Sequence, residues 1–343
     1  MKIRLFAFTQ TGARLCARLT KVLQENGLQA TGYAKDGLAG LTVRTGTLKQ
    51  NAEQAFLQKE ALIFVGAVGI AVRTIAPFVR SKTTDPPVLA LDEKGQYVIP
   101  LLSGHLGGAN ALAKLVAEKI GAIPVITTAT DLQGAFAVDV WAKAQGCTLL
   151  NSRGIQWVSA AVLAGQPVGL ASDFPLEGEL PFPLSCQTAG EVGISLSLHG
   201  GKTPFAHTLH VVPPCVVLGV GCRKNVAPAV FEKAVFAVLA AQGIPFSAVT
   251  EIASINLKEK EEAILAFCQQ YDLPFSVYPA EELAAVAGSF TSPAFVHNTV
   301  GVGHVCERSA VKRAQGPFLF AKQAQDGATA AAAPCPWHAP FSF

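Results

Sequence analysis

One segment of this 343-residue chain combines a histidine with three glycines: Leu101-Leu102-Ser103-Gly104-His105-Leu106-Gly107-Gly108-Ala109-Asn110. An imidazole is the side chain best suited to trade a proton at physiological pH, so His105 is a candidate general base. The glycines sit between a strand-like run and a helical one. Backbone N–H groups at a helix start lack partners within the helix and can bind a carboxylate or a developing oxyanion. Gly107 and Gly108 are the candidate donors, with Gly104 and Asn110 beside them at the ligand. Ser103 is either a nucleophile or the N-cap of the helix. The cap is the stronger reading, because serine is a preferred cap residue. No G-x-S-x-G elbow is present. Asp131 ends the run Thr127-Thr128-Ala129-Thr130-Asp131. At the end of a strand, where open α/β sheets bind ligands, it could orient His105 or polarise water. The plainer alternative is a turn or cap aspartate.

Three further clusters carry weaker signals. Phe64–Arg73 runs from a strand into a turn with Gly66 and Gly69. It lacks the G-x-G-x-x-G of a dinucleotide site, so these glycines serve either tight packing or close approach to a bulky ligand. Arg73 and Arg80 would share a helix face only if the helix passed through Pro77, which proline opposes. They are candidates for ligand carboxylates, or solvated surface charges. Arg223, Lys224 and Asn225 follow another strand and suggest an anion pocket. His304 and Glu307 lie in a Gly-rich turn entering a helix and are read as substrate-binding. The set His297, His304, Cys306 and Glu307 matches no standard zinc spacing, and no protein-held metal is expected.

These residues need elements to position them. Ile3–Phe8, Ala61–Val65, Val88–Leu91, Tyr97–Ile99 and Ile123–Thr127 read as strands, the middle pair around an Asp92–Gly95 turn. Ala109, Leu112, Ala113, Val116, Ala117 and Ile120 follow helical spacing. Strand–helix alternation predicts an α/β fold with right-handed crossovers and a mostly parallel sheet. Residues 146–212 are richer in Gly, Pro and Ser and suggest a small α/β middle domain. A fresh α/β unit starts at Cys215, with a helix over Pro228–Leu239 and a capping box at Asn256 and Glu259. The expected layout has three parts: an N-terminal α/β domain over 1–145, the middle domain over 146–212, and a C-terminal α/β domain over 213–330. A tail over 331–343, without obvious chemistry, follows.

Composition narrows the function classes. The net charge is +3, from 27 Lys and Arg against 24 Asp and Glu. That is too mild for a nucleic-acid partner. No uncharged apolar stretch reaches the roughly 20 residues of a membrane helix. The eight cysteines form no C-x-x-C pair and fit a reducing cytoplasm. The first residues read as a strand and not as a secretory signal.

Taken in order, GAVGIAVR, LLSGHLGGAN, TTATD, GVGCRKNV and a Gly-rich turn before CERSA resemble the cobalt-precorrin-5A hydrolase (CbiG) family of cobalamin biosynthesis. The resemblance covers nearly the whole chain, apart from the tail after Lys322. It implies that the substrate is cobalt-precorrin-5A, a ring-contracted tetrapyrrole with a δ-lactone. Water opens the lactone and acetaldehyde leaves, giving cobalt-precorrin-5B. The cobalt belongs to the substrate, so no separate cofactor is expected, and neighbouring pathway enzymes are candidate partners. A wide cleft between the first and third domains would suit a flat macrocycle. Two other readings stay open: a corrinoid carrier without chemistry, which would not need His105, and an α/β enzyme using its Gly-rich helix starts for phosphates or nucleotides.

Overall fold

The computed structural model describes residues 1–81, 84–105, 107–288, 290 and 304–341. The chain divides into two compact units, Met1–Ala135 and Phe136–Phe343. The first boundary falls ten residues before the expected 145/146 limit, because the helix over Val138–Ala144 belongs to the second unit.

The first unit holds β1 (Lys2–Ala7), α1 (Gln10–Glu25), β2 (Gln29–Ala34), β3 (Thr42–Val43), α2 (Leu48–Gln58), β4 (Ala61–Val65) and α3 (Val68–Ile75). It continues through β5 (Val88–Leu91), β6 (Tyr97–Leu102), α4 (Ala109–Ile120), β7 (Ile123–Pro124) and α5 (Ala129–Leu132). Its seven strands run in the order β3-β2-β1-β4-β5-β6-β7. Every residue of β4 is buried, as a central parallel strand requires. Alternation sends its side chains to opposite faces. Ile63 and Val65 meet Cys16, Leu19, Leu23 and Leu112 on one side. Leu62 and Phe64 meet Ala52, Ala55, Ala71 and Ile75 on the other.

One pairing breaks the parallel pattern. β6 runs antiparallel to β5, with Val88 opposite Leu102, and β7 runs parallel to β6. The Asp92 carboxylate builds the reversal by accepting the N–H groups of Lys94, Gln96 and Tyr97. β7 is shorter than the expected Ile123–Thr127, since Pro124 has no N–H for a ladder and is confined to the sheet edge.

In the second unit, α6 (Val138–Ala144), β8 (Thr148–Leu149), α7 (Ser152–Leu163), β9 (Val168–Ser172), β10 (Leu176–Glu177), β11 (Leu184–Cys186), β12 (Gly190–Leu196) and β13 (Phe205–Val212) come first. Five of these strands form a sheet in the order β11-β9-β12-β13-β8. Then follow β14 (Val216–Cys222), α8 (Pro228–Ala241), β15 (Val249–Ile255), α9 (Glu262–Tyr271), β16 (Phe275–Tyr278), α10 (Ala280–Ala284), α11 (Val305–Ala314), β17 (Phe320–Gln325), β18 (Ala328–Pro334) and β19 (Ala339–Pro340). A second sheet runs β16-β15-β14-β18-β17, parallel from β16 to β14 and antiparallel beyond.

The expected tail at 331–343 starts inside β18, an interior strand of that sheet. Its alanines are packing residues. Ala330 and Ala332 face the core that holds Phe231 and Val235, while Ala333 meets Ala310 and Ala314 of α11. Small residues let α11 lie against the sheet, and Gly219 sets the limit. A Cβ there would sit 1.8 Å from the Cys306 carbonyl oxygen. The end of the chain is also anchored. β19 pairs with β10, Trp141 Nε1 donates to the Pro340 carbonyl at 2.7 Å, and the Trp141 and Phe341 rings stack at 4.8 Å.

The capping box at Asn256 and Glu259 does not form. Asn256–Lys258 is a single 3-10 turn, and α9 begins at Glu262 after Glu261. The Glu261 carboxylate instead accepts from Lys258 and from the Asn225 N–H.

Gly219→Ala is expected to cost about 3 kcal/mol, because backbone must move to admit the methyl group. Gly201→Ala, where an added Cβ meets nothing within 4 Å, should stay within about 0.5 kcal/mol. Urea melts of the two variants check the contrast.

Candidate active site

β6 ends at Leu102 and delivers the Ser103–Gly108 loop to the end of the sheet where β5 begins. The loop closes on itself. A Cβ on Gly107 would lie 2.2 Å from Ser103 Cβ and 2.7 Å from the Ser103 carbonyl oxygen, so only glycine fits. Its carbonyls then take up the start of α4. Gly108 N–H donates to His105, Ala109 N–H to Ser103 and Asn110 N–H to Gly104.

Two expectations are corrected here. Ser103 does not cap α4: the cap position belongs to Gly108, and Ser103 Oγ donates to the Asp85 carbonyl at 2.8 Å. Gly108 cannot serve as an anion donor, since His105 already accepts its N–H. Of the two donors expected, this leaves the Gly107 N–H.

The polar centre is Asp131. The sequence suggested the end of a strand, but Asp131 sits in the one-turn helix α5, beyond β7. Its Oδ2 meets His105 Nε2 at 3.0 Å and accepts from Asn110 Nδ2 at 2.8 Å. Its Oδ1 accepts from Lys114 Nζ at 2.9 Å. Thr130 Oγ1 lies 2.9 Å from the same His105 nitrogen, and Asn110 also donates to Thr128 Oγ1. The His105 and Asp131 side chains are 20% and 18% exposed, sheltered but within reach of a ligand. An ionised carboxylate only accepts, so this contact requires hydrogen on His105 Nε2. A neutral imidazole then carries its basic lone pair on Nδ1. Burial pushes the Asp131 carboxyl up, but Lys114, Asn110 and His105 together outweigh it and hold the group below the usual aspartate range.

Lys114, Thr130 and Asp85 were missed in the sequence. Lys114 had a signal: four residues after Asn110 on one helix, it must share that face.

Other expected site residues lie elsewhere. Gly66 N–H donates to the Leu91 carbonyl, at the opposite end of β5 from Ser103. Gly69 is on α3 beside it, and the Arg73 guanidinium folds back to 3.3 Å from the place of a Gly69 Cβ. Gly66, Gly69 and Arg73 therefore do not join His105. Arg80 does not share a helix face with Arg73. α3 stops at Ile75, a 3-10 turn holds Pro77, and the Arg80 N–H donates to Asp85, near the His105 end.

In the second unit, Arg223, Lys224 and Asn225 form an exposed turn after β14. Arg223 and His304 line a cavity of about 640 Å³. Glu307 is fully buried, 3.4 Å from His304 Nδ1, and accepts the Lys322 N–H at 2.9 Å. The Cys306 thiol beside it is pushed up to about 11 by burial. His297 lies outside the described residues.

Comparison with known proteins identifies the chain's relatives. Family models match residues 50–131 (cobalamin synthesis G N-terminal), 136–196 (cobalamin biosynthesis central region) and 216–333 (cobalamin synthesis G C-terminus). A cobalt-precorrin-5A hydrolase of Salmonella typhimurium is 34% identical, over 95% of this chain and 96% of its own. The chain belongs to the cobalamin synthesis G family. A second cobalt-precorrin-5A hydrolase, from Priestia megaterium, is 27% identical over 82% of this chain and 81% of its own. A crystal structure of a putative cobalamin biosynthesis protein G homolog from Sulfolobus solfataricus aligns with TM-score 0.43 and 22% identity, over 97% of each chain. The three matched segments agree with a three-part α/β chain. Among the described residues, no helix is long and apolar enough to cross a membrane.

The lowered Asp131 value has a consequence for stability. Asp131 stabilises the folded chain above the ordinary aspartate range, and that contribution fades as pH falls below it. Asp131→Asn should therefore lower the melting temperature at about pH 7, by less and less as pH falls through the lowered Asp131 range and the native carboxyl takes up a proton too. Thermal melts across this range check the sign; a constant deficit at every pH would contradict it.

Proposed function

We propose that this chain is a cobalt-precorrin-5A hydrolase whose base is His105, held and polarised by Asp131. The observation that carries the assignment is the 3.0 Å contact between His105 Nε2 and Asp131 Oδ2, in a chain of this family. Family membership supports the substrate, and the geometry supports the roles.

With Nε2 committed to Asp131, Nδ1 takes a proton from water as the water oxygen bonds to the lactone acyl carbon. The carbonyl electrons move onto oxygen, where the Gly107 N–H is the candidate donor. Collapse breaks the acyl C–O bond, and the imidazolium returns its proton to the departing oxygen. The products are a carboxylic acid, which gives its proton to solvent, and an alcohol on the two-carbon unit. Loss of that hydroxyl proton then breaks the bond between the two-carbon unit and the macrocycle. The electron pair enters the conjugated ring system, and acetaldehyde leaves. Asp131 stabilises the imidazolium, while Lys114 and Asn110 keep its carboxylate ionised and oriented. The cobalt is carried by the substrate. The cytoplasm is the compartment in which we place the enzyme.

Ser103 has a structural role in this scheme, since its hydroxyl donates to Asp85. His105→Ala should lower turnover by about 10²–10⁴, whereas Ser103→Ala should still release aldehyde. The assay is anaerobic incubation with cobalt-precorrin-5A, trapping volatile aldehyde and recording the corrinoid mass. Loss of turnover in Ser103→Ala as complete as in His105→Ala would favour an acyl-serine route. No aldehyde from folded wild-type protein that binds the corrinoid would favour a carrier.

A further inference from the structure

The cavity in the second unit is built from parts that the His105 chemistry does not use. Its cations come from three separate elements: Arg223 after β14, Lys258 after β15 and Lys322 on β17. In the sheet order β15-β14-β18-β17, the first and last are three strand spacings apart, about 14 Å at the backbone. Part of the lining is apolar: Ile255 and Leu257 beside Lys258, Val305 on α11, and Cys222 and Ala328 on the two strands between. Leu257 is 69% exposed, a large apolar side chain left in water at the edge of the cavity.

Charges on this wall are not fully matched. Lys258 is tied to Glu261 at 2.8 Å, and Glu261 also accepts the Asn225 N–H, fixing the Arg223–Asn225 turn beside it. Among the described residues neither Arg223 nor Lys322 is ion-paired. Asp326 is the acidic residue on the lining. Cations anchored this far apart can meet separate anionic groups of one ligand. Apolar lining beside cations from separate elements matches a flat apolar ring that carries carboxylates around its edge.

We propose that this cavity binds the carboxylate-bearing edge of a corrinoid through Arg223 and Lys322, with Lys258 fixing the Arg223–Asn225 turn by way of Glu261, and that it binds without help from His105 and Asp131. The ligand class rests on the hydrolase reading; the site itself does not.

The test titrates the full-length protein with cobyrinic acid, whose side chains are carboxylates, and with cobinamide, whose side chains are amides. Wild type should bind cobyrinic acid, with weakening by added salt, and bind cobinamide less tightly. Arg223→Met with Lys322→Met should weaken cobyrinic acid about ten-fold or more, equivalent to about 1.4 kcal/mol. Leu257→Asp, at an exposed position that folding does not depend on, should weaken it as well. His105→Ala should bind as wild type while losing turnover. Equal binding of both corrinoids, or unchanged affinity in both the double variant and Leu257→Asp, would overturn the proposal. So would ATP binding that the same substitutions abolish, with no binding of cobyrinic acid. Cobyrinic acid binding that obeys these predictions in a protein releasing no aldehyde would remove the hydrolase reading and leave the cavity standing.

Discussion

The Asp131 carboxylate joins everything at the candidate active site. Its two oxygens take donors from the β6–α4 loop, through His105, and from two positions on α4, Asn110 and Lys114. The group itself stands on α5. Because a carboxylate can only accept, it dictates where His105 keeps its proton. Because α4 is started by the carbonyls of Ser103 and Gly104, the loop cannot shift without moving the helix that holds the carboxylate. Loop, helix and acid form one mechanical unit around a single charged group, and a lysine keeps that group ionised despite partial burial.

That unit exists because β6 turns back. Had the sheet stayed parallel, the loop after β6 would have opened at the same edge as the Gly66 turn. All the Gly-rich segments of the first unit would then have faced one ligand. Antiparallel pairing with β5 sends Ser103 to the edge where β5 begins and leaves Gly66, Gly69 and Arg73 at the other. The rule that ligands bind at the carboxyl ends of strands still describes His105 and Asp131, which follow β6 and β7. It simply applies to two strands that point the opposite way from their neighbours.

Much of this was legible in the residues. The spacing Ala109, Leu112, Ala113, Val116 gives α4 with its observed bounds, since one apolar stripe leaves little choice of register. Ala61–Val65 reads as a fully buried strand because no residue in it tolerates water. The link from Asp131 to His105 was foreseen as one option, although the short helix that bears it was not. Caps were read less well. Ser103 and Asn256 have the right chemistry, but capping depends on where the chain turns: backbone carbonyls start α4, and α9 begins six residues beyond Asn256 with no side-chain cap. The alanines of β18 misled for another reason. An Ala run has no polarity pattern, and its meaning appears only with the close approach of α11.

Glycine and charge play different parts in the two units. Gly107 and Gly219, which draw the eye as ligand loops, are required because an added Cβ would sit 2.7 Å and 1.8 Å from backbone oxygens. Their conformational and steric freedom is already used in folding. Specific chemistry therefore falls to the polar side chains that such packing positions. In the first unit Lys114 is drawn onto a carboxylate, which suits a site that must fix a proton on one nitrogen. In the second, among the described residues, Arg223 and Lys322 have no carboxylate partner and share the cavity lining with apolar side chains, which suits recognition of an anion from solution. A charge neutralised within the protein can set a tautomer but offers little to a ligand. An unmatched charge does the reverse, and so the roles proposed here assign proton chemistry to Asp131 and carboxylate recognition to the cavity of the second unit.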